Sequence, residues 1–89
     1  MEQKVKAFFA ANPNGKQKAA EIANVYRKSG MEVLEITEYD FEKCQHMAKQ
    51  QQATHLLYFH DTEQITMCIF AEDMDGFCVE IGVSDLQMP

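Results

Sequence analysis

The sequence lacks the features that mark membrane, secreted and fibrous proteins. Its 89 residues contain no apolar run near the roughly 18 residues that a membrane-spanning helix needs. The five apolar residues at positions 7–11 are too few for a secretory signal. Four glycines, two prolines and three cysteines are too few for a collagen-like, low-complexity or disulfide-scaffold protein. We therefore expect one small, soluble, cytoplasmic domain spanning residues 1–89.

Basic residues are missing from the second part of the chain. All eight Lys and Arg residues lie within the first 49 positions, whereas the last 40 residues carry seven acids and neither Lys nor Arg. The formal net charge is −6. Because binding to a nucleic-acid backbone needs clustered cations, the C-terminal part is a poor nucleic-acid surface. The composition favours a solvated acidic face instead.

The three cysteines form no C-x-x-C pair, which argues against a structural zinc site and for a reducing compartment. The hairpin register predicted below places Cys68 opposite Gly82, and Cys78 opposite Glu72. The two thiols are therefore expected not to meet. We interpret both, together with Cys44, as small apolar residues.

The best-marked element is a helix that follows a loop at residues 12–15. Asn14 is the predicted N-cap, with Gln17 three residues later as in a capping box. Gly30 supplies the left-handed residue at the C-terminal end. One apolar stripe at helical spacing contains Ala19, Ile22, Ala23 and Tyr26.

Strands and a second helix continue the pattern. Residues 33–36 predict a strand, and Thr37 or Asp40 caps the second helix. Residues 56–59 predict a strand covered on both faces, because the run has no polar alternation. This order is typical of a right-handed β-α-β unit. The inward stripe of the second helix contains Phe41, Cys44, Met47 and Ala48.

The last part of the chain predicts a hairpin. Residues 77–84 alternate strictly between apolar and other residues, and residues 74–76 suit a three-residue turn ending in Gly76. The register that this turn sets pairs Ala71 with Val79, Ile69 with Ile81, and Met67 with Val83. The fold class predicted from all elements is α/β, a mixed sheet with helices packed on it in the order β-α-β-α-β-β-β. Residues 4–11 remain open between strand and helix.

No arrangement in the sequence predicts catalysis. Neither Ser29 nor Ser84 has the glycine context of a nucleophile elbow, and His46 lies on a different side of its helix from Cys44. We expect no catalytic residue, no metal site and no cofactor. A candidate polar binding loop contains His60, Asp61 and Glu63.

The first helix is a candidate surface for RNA or another anion. Backbone donors and cations lie together at its N-terminus, but the G-x-x-x-x-G-K-[ST] spacing of a nucleotide-triphosphate loop is absent. The alternative is a capped helix with solvated basic side chains. The candidate contacts are Lys16, Lys18, Arg27 and Lys28.

The run at residues 18–33 resembles the first helix and second strand of the anticodon-binding domain of class II aminoacyl-tRNA synthetases, especially histidyl-tRNA synthetase. In that family the helix ends in a leucine-arginine step, which is followed by a glycine and a β-branched strand. Arg27, Gly30 and Val33 fit this pattern, whereas Tyr26 replaces the leucine.

The resemblance implies a five-stranded mixed sheet with residues 4–11 as its first strand, and it implies anticodon binding. The acidic second part of the chain departs from that function. The catalytic core of a synthetase is also missing, so we expect no aminoacylation by this chain alone. The acidic chain is more similar to a related branch, the regulatory subunit of ATP phosphoribosyltransferase, which works through protein contacts.

Three functional hypotheses follow. The leading one is a non-catalytic binding or regulatory module with a protein partner, similar to the C-terminal domain of a histidyl-tRNA synthetase-like regulatory subunit. The second is recognition of tRNA or another RNA through the basic first helix. The third is a winged-helix-type interaction protein with helices at 2–11, 15–29 and 38–52. We expect no DNA and no membrane partner, and a dimer is left open.

Overall fold

The computed structural model describes residues 6–70 and 77–86. The predicted α/β class and order of elements are confirmed. The winged-helix hypothesis is wrong, because residues 6–11 form a strand. Within the described residues, neither helix has the length and apolar character needed to cross a membrane. The elements are β1 (Lys6–Ala11), α1 (Lys16–Lys28), β2 (Glu32–Glu35), α2 (Phe41–Gln50), β3 (His55–Phe59), β4 (Gln64–Ile69), β5 (Phe77–Gly82) and a short 3-10 helix (Val83–Asp85).

The five strands form one mixed sheet in the order β2-β1-β3-β4-β5. β1 pairs in parallel with β2 on one side and with β3 on the other, whereas β4 and β5 are antiparallel to their neighbours. The chain therefore crosses from β1 to one side and then returns to the other. Since both crossovers are right-handed by the general rule, α1 and α2 pack on opposite faces of the sheet.

Each face of the sheet has its own apolar layer. Phe9, Phe59 and Ile65 pack with α1 on one face, whereas Phe8 and Leu56 pack with α2 on the other. Successive residues of β1 and β3 point into alternate layers, and all but the first residue of each strand are buried. This arrangement explains why neither strand shows polar alternation, and the prediction that residues 56–59 are covered on both faces is confirmed.

The two helices begin in different ways. Asp40 caps α2 by accepting a hydrogen bond from the Lys43 amide at 3.2 Å, as one of the two predicted caps. The prediction of Asn14 as the cap of α1 is wrong, because the N-cap is Gly15 and no side chain caps this end. The loop turns too tightly for an Asn14 cap, since the Gly15 amide donates to the Asn12 carbonyl at 2.9 Å.

The apolar stripe of α2 is narrower than predicted. Cys44 and Ala48 are fully buried and Phe41 is half-buried, but Met47 is 40% exposed. α2 packs over the centre of the sheet, where Cys44 and Ala48 contact the layer around Leu56. Met47 instead lies towards the edge strand β2, beside the similarly exposed Leu34.

The hairpin is present, but its predicted register is wrong. Met67 pairs with Val79, and Cys68 lies directly opposite Cys78. Each residue of β5 pairs with a β4 residue four positions earlier than predicted, for example Val79 with Met67 instead of Ala71. This even slip keeps the same side chains on the same face. Apolar alternation cannot distinguish the two registers for this reason. The predicted turn at residues 74–76, together with Ala71 and Glu72, lies outside the described residues.

The new register brings two cysteines together. Cys68 and Cys78 form a disulfide across β4 and β5, with their Cα atoms 4.1 Å apart. The prediction that these thiols do not meet, and that both behave as simple apolar residues, is therefore wrong. Cys44 is a free, buried thiol within the layer under α2, as predicted.

Candidate binding site at the carboxyl edge of the parallel strands

The three parallel strands end at the same edge of the sheet. We call this the carboxyl edge and define it as residues 12–15 after β1, 36–40 after β2 and 60–63 after β3. Both helices start there, so their backbone N–H groups also point towards it. In open α/β sheets of this strand order, ligands bind outside the carboxyl ends of the strands, where the chain switches sides between β1 and β3.

The loop after β1 is held against the end of β3. The Asn12 amide donates to the Phe59 carbonyl at 2.9 Å. A Cβ atom on Gly15 would lie 2.8 Å from the Phe59 carbonyl oxygen and 3.0 Å from that of Asp61. Glycine is therefore required at this position by close backbone approach, and α1 starts directly on the switch point.

A tyrosine in β3 joins the loops that follow β1 and β2. The Tyr58 hydroxyl lies 2.5 Å from Oδ1 of Asn12 and 2.5 Å from the carbonyl oxygen of Tyr39. Its single proton serves one of these two acceptors at a time. Burial raises the pKa of Tyr58, and the neighbouring Cys44 and Asp40 raise it further. Tyr58 therefore remains neutral and positions the loops.

The thiol of Cys44 lies beneath the same loops. It donates to the Glu38 carbonyl at 3.2 Å. Burial raises the pKa of Cys44 to about 11, with further contributions from the charges of Glu38 and Asp40. The thiolate is the nucleophilic form of cysteine, so this side chain acts at neutral pH as a buried hydrogen-bond donor.

The predicted polar binding loop, His60, Asp61 and Glu63, lies at the carboxyl edge. Oδ1 of Asp61 accepts hydrogen bonds from the amides of Glu63 at 2.7 Å and Gln64 at 2.8 Å. These bonds lower the pKa of Asp61 and shape the turn between β3 and β4. Nε2 of His60 lies 2.6 Å from the Thr66 hydroxyl. His60 and Asp61 thus have internal partners, and the Glu63 side chain is exposed.

The four predicted cationic contacts do not form one cluster. Lys16 and Lys18 lie in the first turn of α1, next to the carboxyl edge, whereas Arg27 and Lys28 lie in its last turn, roughly 15 Å away along the helix. Lys18 pairs with Glu21 at 3.6 Å. A helix advances about 100° per residue, so Lys18 points to nearly the opposite side from Lys16 and Arg27.

Arg27 connects α1 to the edge strand. Its guanidinium lies 2.9 Å from a carboxylate oxygen of Glu35 and donates to the Val33 carbonyl at 3.4 Å. In β2, every second residue forms backbone hydrogen bonds with β1, and the Ile36 amide donates to the Phe9 carbonyl in this way. Val33 belongs to the other set, so its backbone N–H and C=O groups point away from β1. Arg27 therefore covers part of the open edge of the sheet.

The carboxyl edge is acidic. Its three loops carry four carboxylates, those of Glu38, Asp40, Asp61 and Glu63, and neither Lys nor Arg. Shallow depressions flank it on both sides. One is lined by Lys16, Thr37 and Tyr39, and the other by His60, Gln64, Glu80 and Asp85. Across residues 6–70 and 77–86, no group of three His, Cys, Asp or Glu side chains is arranged to hold a metal ion.

Sequence reasoning missed the residues that organise this edge. The sequence patterns place Asn12 only in a loop and Tyr58 only in an apolar strand. They place Gly15 in that loop and among the backbone donors at the start of the first helix. The one available signal was a hydroxyl-bearing residue in a strand with two buried faces, since a buried Tyr hydroxyl needs a hydrogen-bond partner. The partners themselves, Asn12 and the Tyr39 carbonyl, are 46 and 19 residues away in the chain.

Comparison with solved structures supports the fold resemblance. The chain is similar to the apo structure of S. aureus histidyl-tRNA synthetase, with a TM-score of 0.68 and 12% sequence identity. The match covers 94% of this chain and 25% of that synthetase, so this chain spans about a quarter of its length. At this identity the likeness shows the fold alone. No protein-family model and no curated protein sequence matches this chain.

Proposed function

We propose that this chain is a non-catalytic binding or regulatory module of the anticodon-binding-domain type, with a protein segment as the partner of its carboxyl edge. The observation that carries the proposal is the charge of that edge, four carboxylates and neither Lys nor Arg in its three loops. A phosphate backbone would meet net repulsion there, whereas a cationic or neutral protein surface would not.

The exposure of the carboxyl edge supports a protein partner. Tyr39 is 47% exposed and lies beside Thr37 and Lys16 in one of the two flanking depressions. Exposed tyrosines are common anchors in protein interfaces because they combine a large apolar surface with a hydroxyl. Recognition of RNA at this edge would instead combine stacking aromatics with a positively charged surface.

The proposal also draws on the hydrogen bonds beneath the edge. Tyr58 joins Asn12 to the Tyr39 carbonyl, and Gly15 packs against the end of β3. These contacts hold the loops in place before a partner arrives, so little ordering entropy opposes binding. Tyr58 and Cys44 both remain protonated at neutral pH, which suits a positioning role.

A site-specific photocrosslinking experiment tests the partner class. A benzophenone-bearing phenylalanine analogue replaces Tyr39 at the carboxyl edge. In a matched control it replaces Lys49, which is exposed near the far end of α2. After irradiation in extract of the native cells, we expect an adduct from position 39 that is protease-sensitive and nuclease-resistant. Position 49 should give no corresponding adduct.

A second measurement tests the RNA alternative directly. The purified chain is titrated with total tRNA at about 50 and about 200 mM salt, and we expect no saturable binding at either concentration. Salt-sensitive binding that weakens in Lys16→Ala, together with a nuclease-sensitive adduct at position 39, would support the RNA hypothesis instead. Equal adducts from positions 39 and 49 would overturn the assignment of the binding edge.

A further inference from the structure

The disulfide between β4 and β5 has an accessible end and a buried end. We propose that the Cys68–Cys78 pair is a thiol–disulfide exchange site, opened by dithiol reductants at Cys78, whose redox state controls how firmly β5 is held on the sheet. The inference concerns a different part of the molecule from the carboxyl edge and does not depend on the proposed binding function.

The strand register holds the two cysteines together. The Val83 amide donates to the Glu63 carbonyl at 2.7 Å, which places the hydrogen-bonded pairs of this hairpin at the odd-numbered residues. Cys68 and Cys78 therefore form a non-hydrogen-bonded pair, the type whose side chains lie closest together. Closing or opening the bond requires no change of register.

Exposure determines which sulfur reacts. Cys68 is fully buried in the layer under α2, whereas Cys78 is exposed on the edge strand. A reductant can therefore reach Cys78, and Cys68 becomes the leaving group. Nε2 of Gln45 lies 3.7 Å from Sγ of Cys68 and 3.3 Å from Sγ of Cys78. It is placed to donate a hydrogen bond to the departing thiolate.

The reaction is a two-step exchange with a dithiol as the reductant. A thiolate of the dithiol attacks Sγ of Cys78, the bond to Cys68 breaks, and Cys68 leaves as a thiolate that then takes up a proton. The second thiol of the reductant loses its proton and attacks the mixed disulfide, which releases Cys78 as a thiolate that is protonated in turn. The protein gains two electrons and two protons, and the dithiol is oxidised to a disulfide.

The third cysteine does not take part in this exchange. Cys44 lies in the same layer as Cys68, but its thiol is buried and donates to the Glu38 carbonyl. Its raised pKa keeps it protonated at neutral pH, and a protonated thiol does not attack a disulfide. The exchange is therefore confined to one pair.

The attachment of β5 explains why opening the bond matters. Among the strands that the structure describes, β5 lies at the end of the sheet and pairs with β4 alone. On the face of the sheet covered by α1, Ile81 of β5 packs against the core. On the face covered by α2, the side of β5 is formed by Cys78, Glu80 and Gly82. Among these three, only Cys78 is joined to the α2 layer by a covalent bond. Without that bond, backbone pairing and one apolar face hold the strand.

Hydrogen exchange of the whole chain tests the switch. The protein is prepared with oxidised glutathione and compared with a sample kept in dithiothreitol. We expect the Val79 and Ile81 amides to exchange about tenfold faster or more in the reduced sample, because the cross-link no longer limits opening. The amides of Phe9 and Leu57 should be protected in both. Denaturing alkylation without reductant should label one cysteine in the oxidised sample and three in the reduced one.

Two variants make the test specific. Cys78→Ser should show the fast β5 exchange of the reduced protein under both conditions. Gln45→Leu should retain the disulfide but react several-fold more slowly with dithiothreitol, because the leaving thiolate loses its donor. Three alkylated cysteines after glutathione oxidation, or equal β5 exchange in both wild-type samples, would overturn the proposal. If Cys78→Ser does not fold, the wild-type comparison decides alone.

Discussion

Single residues at the carboxyl edge have tasks that their residue types do not reveal. Gly15 is the clearest case, because its need for glycine comes from the approach of Phe59 and Asp61 rather than from helix capping. Tyr58 likewise positions the loops because its hydroxyl bonds to Asn12 and to the Tyr39 carbonyl, which are distant from it along the chain.

Gly15→Ala should destabilise the protein. The added methyl group would lie 2.8 Å from the Phe59 carbonyl oxygen and 2.9 Å from its Cβ atom, so the loop or the end of β3 must move. Overpacking of this kind costs about 1–3 kcal/mol in the free energy of unfolding, measurable by urea denaturation. Asn14→Ala, in the exposed part of the same loop, should change that free energy by less than about 0.5 kcal/mol. Equal effects at both positions would contradict the close-approach argument.

Among the secondary-structure elements, the two helix N-termini differ in how well a local sequence pattern predicts the N-cap residue. The sequence predicts either Thr37 or Asp40 as the N-cap of α2. Asp40 is the cap in the structure, because its carboxylate accepts a hydrogen bond from the Lys43 amide. The cap of α1 was missed, because the turn that accommodates Gly15 is set by β3. A capping pattern involves only neighbouring residues, whereas the direction in which the chain enters α1 depends on packing against β3.

Asp40→Ala should cost about 1 kcal/mol in the free energy of unfolding, the usual loss when an N-cap side chain is removed. Thr37→Ala, which removes the other predicted cap, should change it by less than about 0.5 kcal/mol. Urea denaturation of the two oxidised variants checks this difference. If Thr37→Ala proved to be the more costly substitution, the position of the helix start would be wrong.

Arg27 shows the same contrast between pattern and packing. Its place in the last turn of α1 made it a candidate phosphate contact, but it binds Glu35 and the Val33 carbonyl at the open edge of β2. Charged side chains at an edge strand oppose pairing with other chains. The position along the helix was predictable from sequence, and its neighbour across the edge was not.

At the scale of the whole molecule, stability should decrease with falling pH through His55. This side chain is half-buried at the start of β3, with Nδ1 2.8 Å from the Thr54 hydroxyl, and burial lowers its pKa. The unfolded chain therefore takes up the proton first. The free energy of unfolding then falls as the pH drops below about 6.5, the ordinary histidine value, and levels off below the lowered pKa of the folded state.

Urea denaturation between about pH 7.5 and about pH 5 measures this dependence. His55→Gln should reduce the acid-induced loss, because the group with the lowered pKa is gone. His46→Gln, the same exchange on the exposed side of α2, is the matched control. If the free energy of unfolding falls equally with decreasing pH in both variants, His55 is not the origin of the pH dependence.

Patterns along the chain predict the fold class, the order of elements and the burial of residues 56–59 on both faces, whereas they leave residues 4–11 open between strand and helix. Each of these depends on the spacing of apolar residues within one element, and that spacing can be read along a short stretch of chain.

Long-range packing sets the hairpin register, the Cys68–Cys78 disulfide and the neighbours at the carboxyl edge. An even slip leaves the alternation unchanged, so the register depends on contacts of β5 with the core through residues such as Ile81. The carboxyl edge joins residues from three separate loops. Distances between such residues follow from sheet order and crossover, which no local pattern encodes.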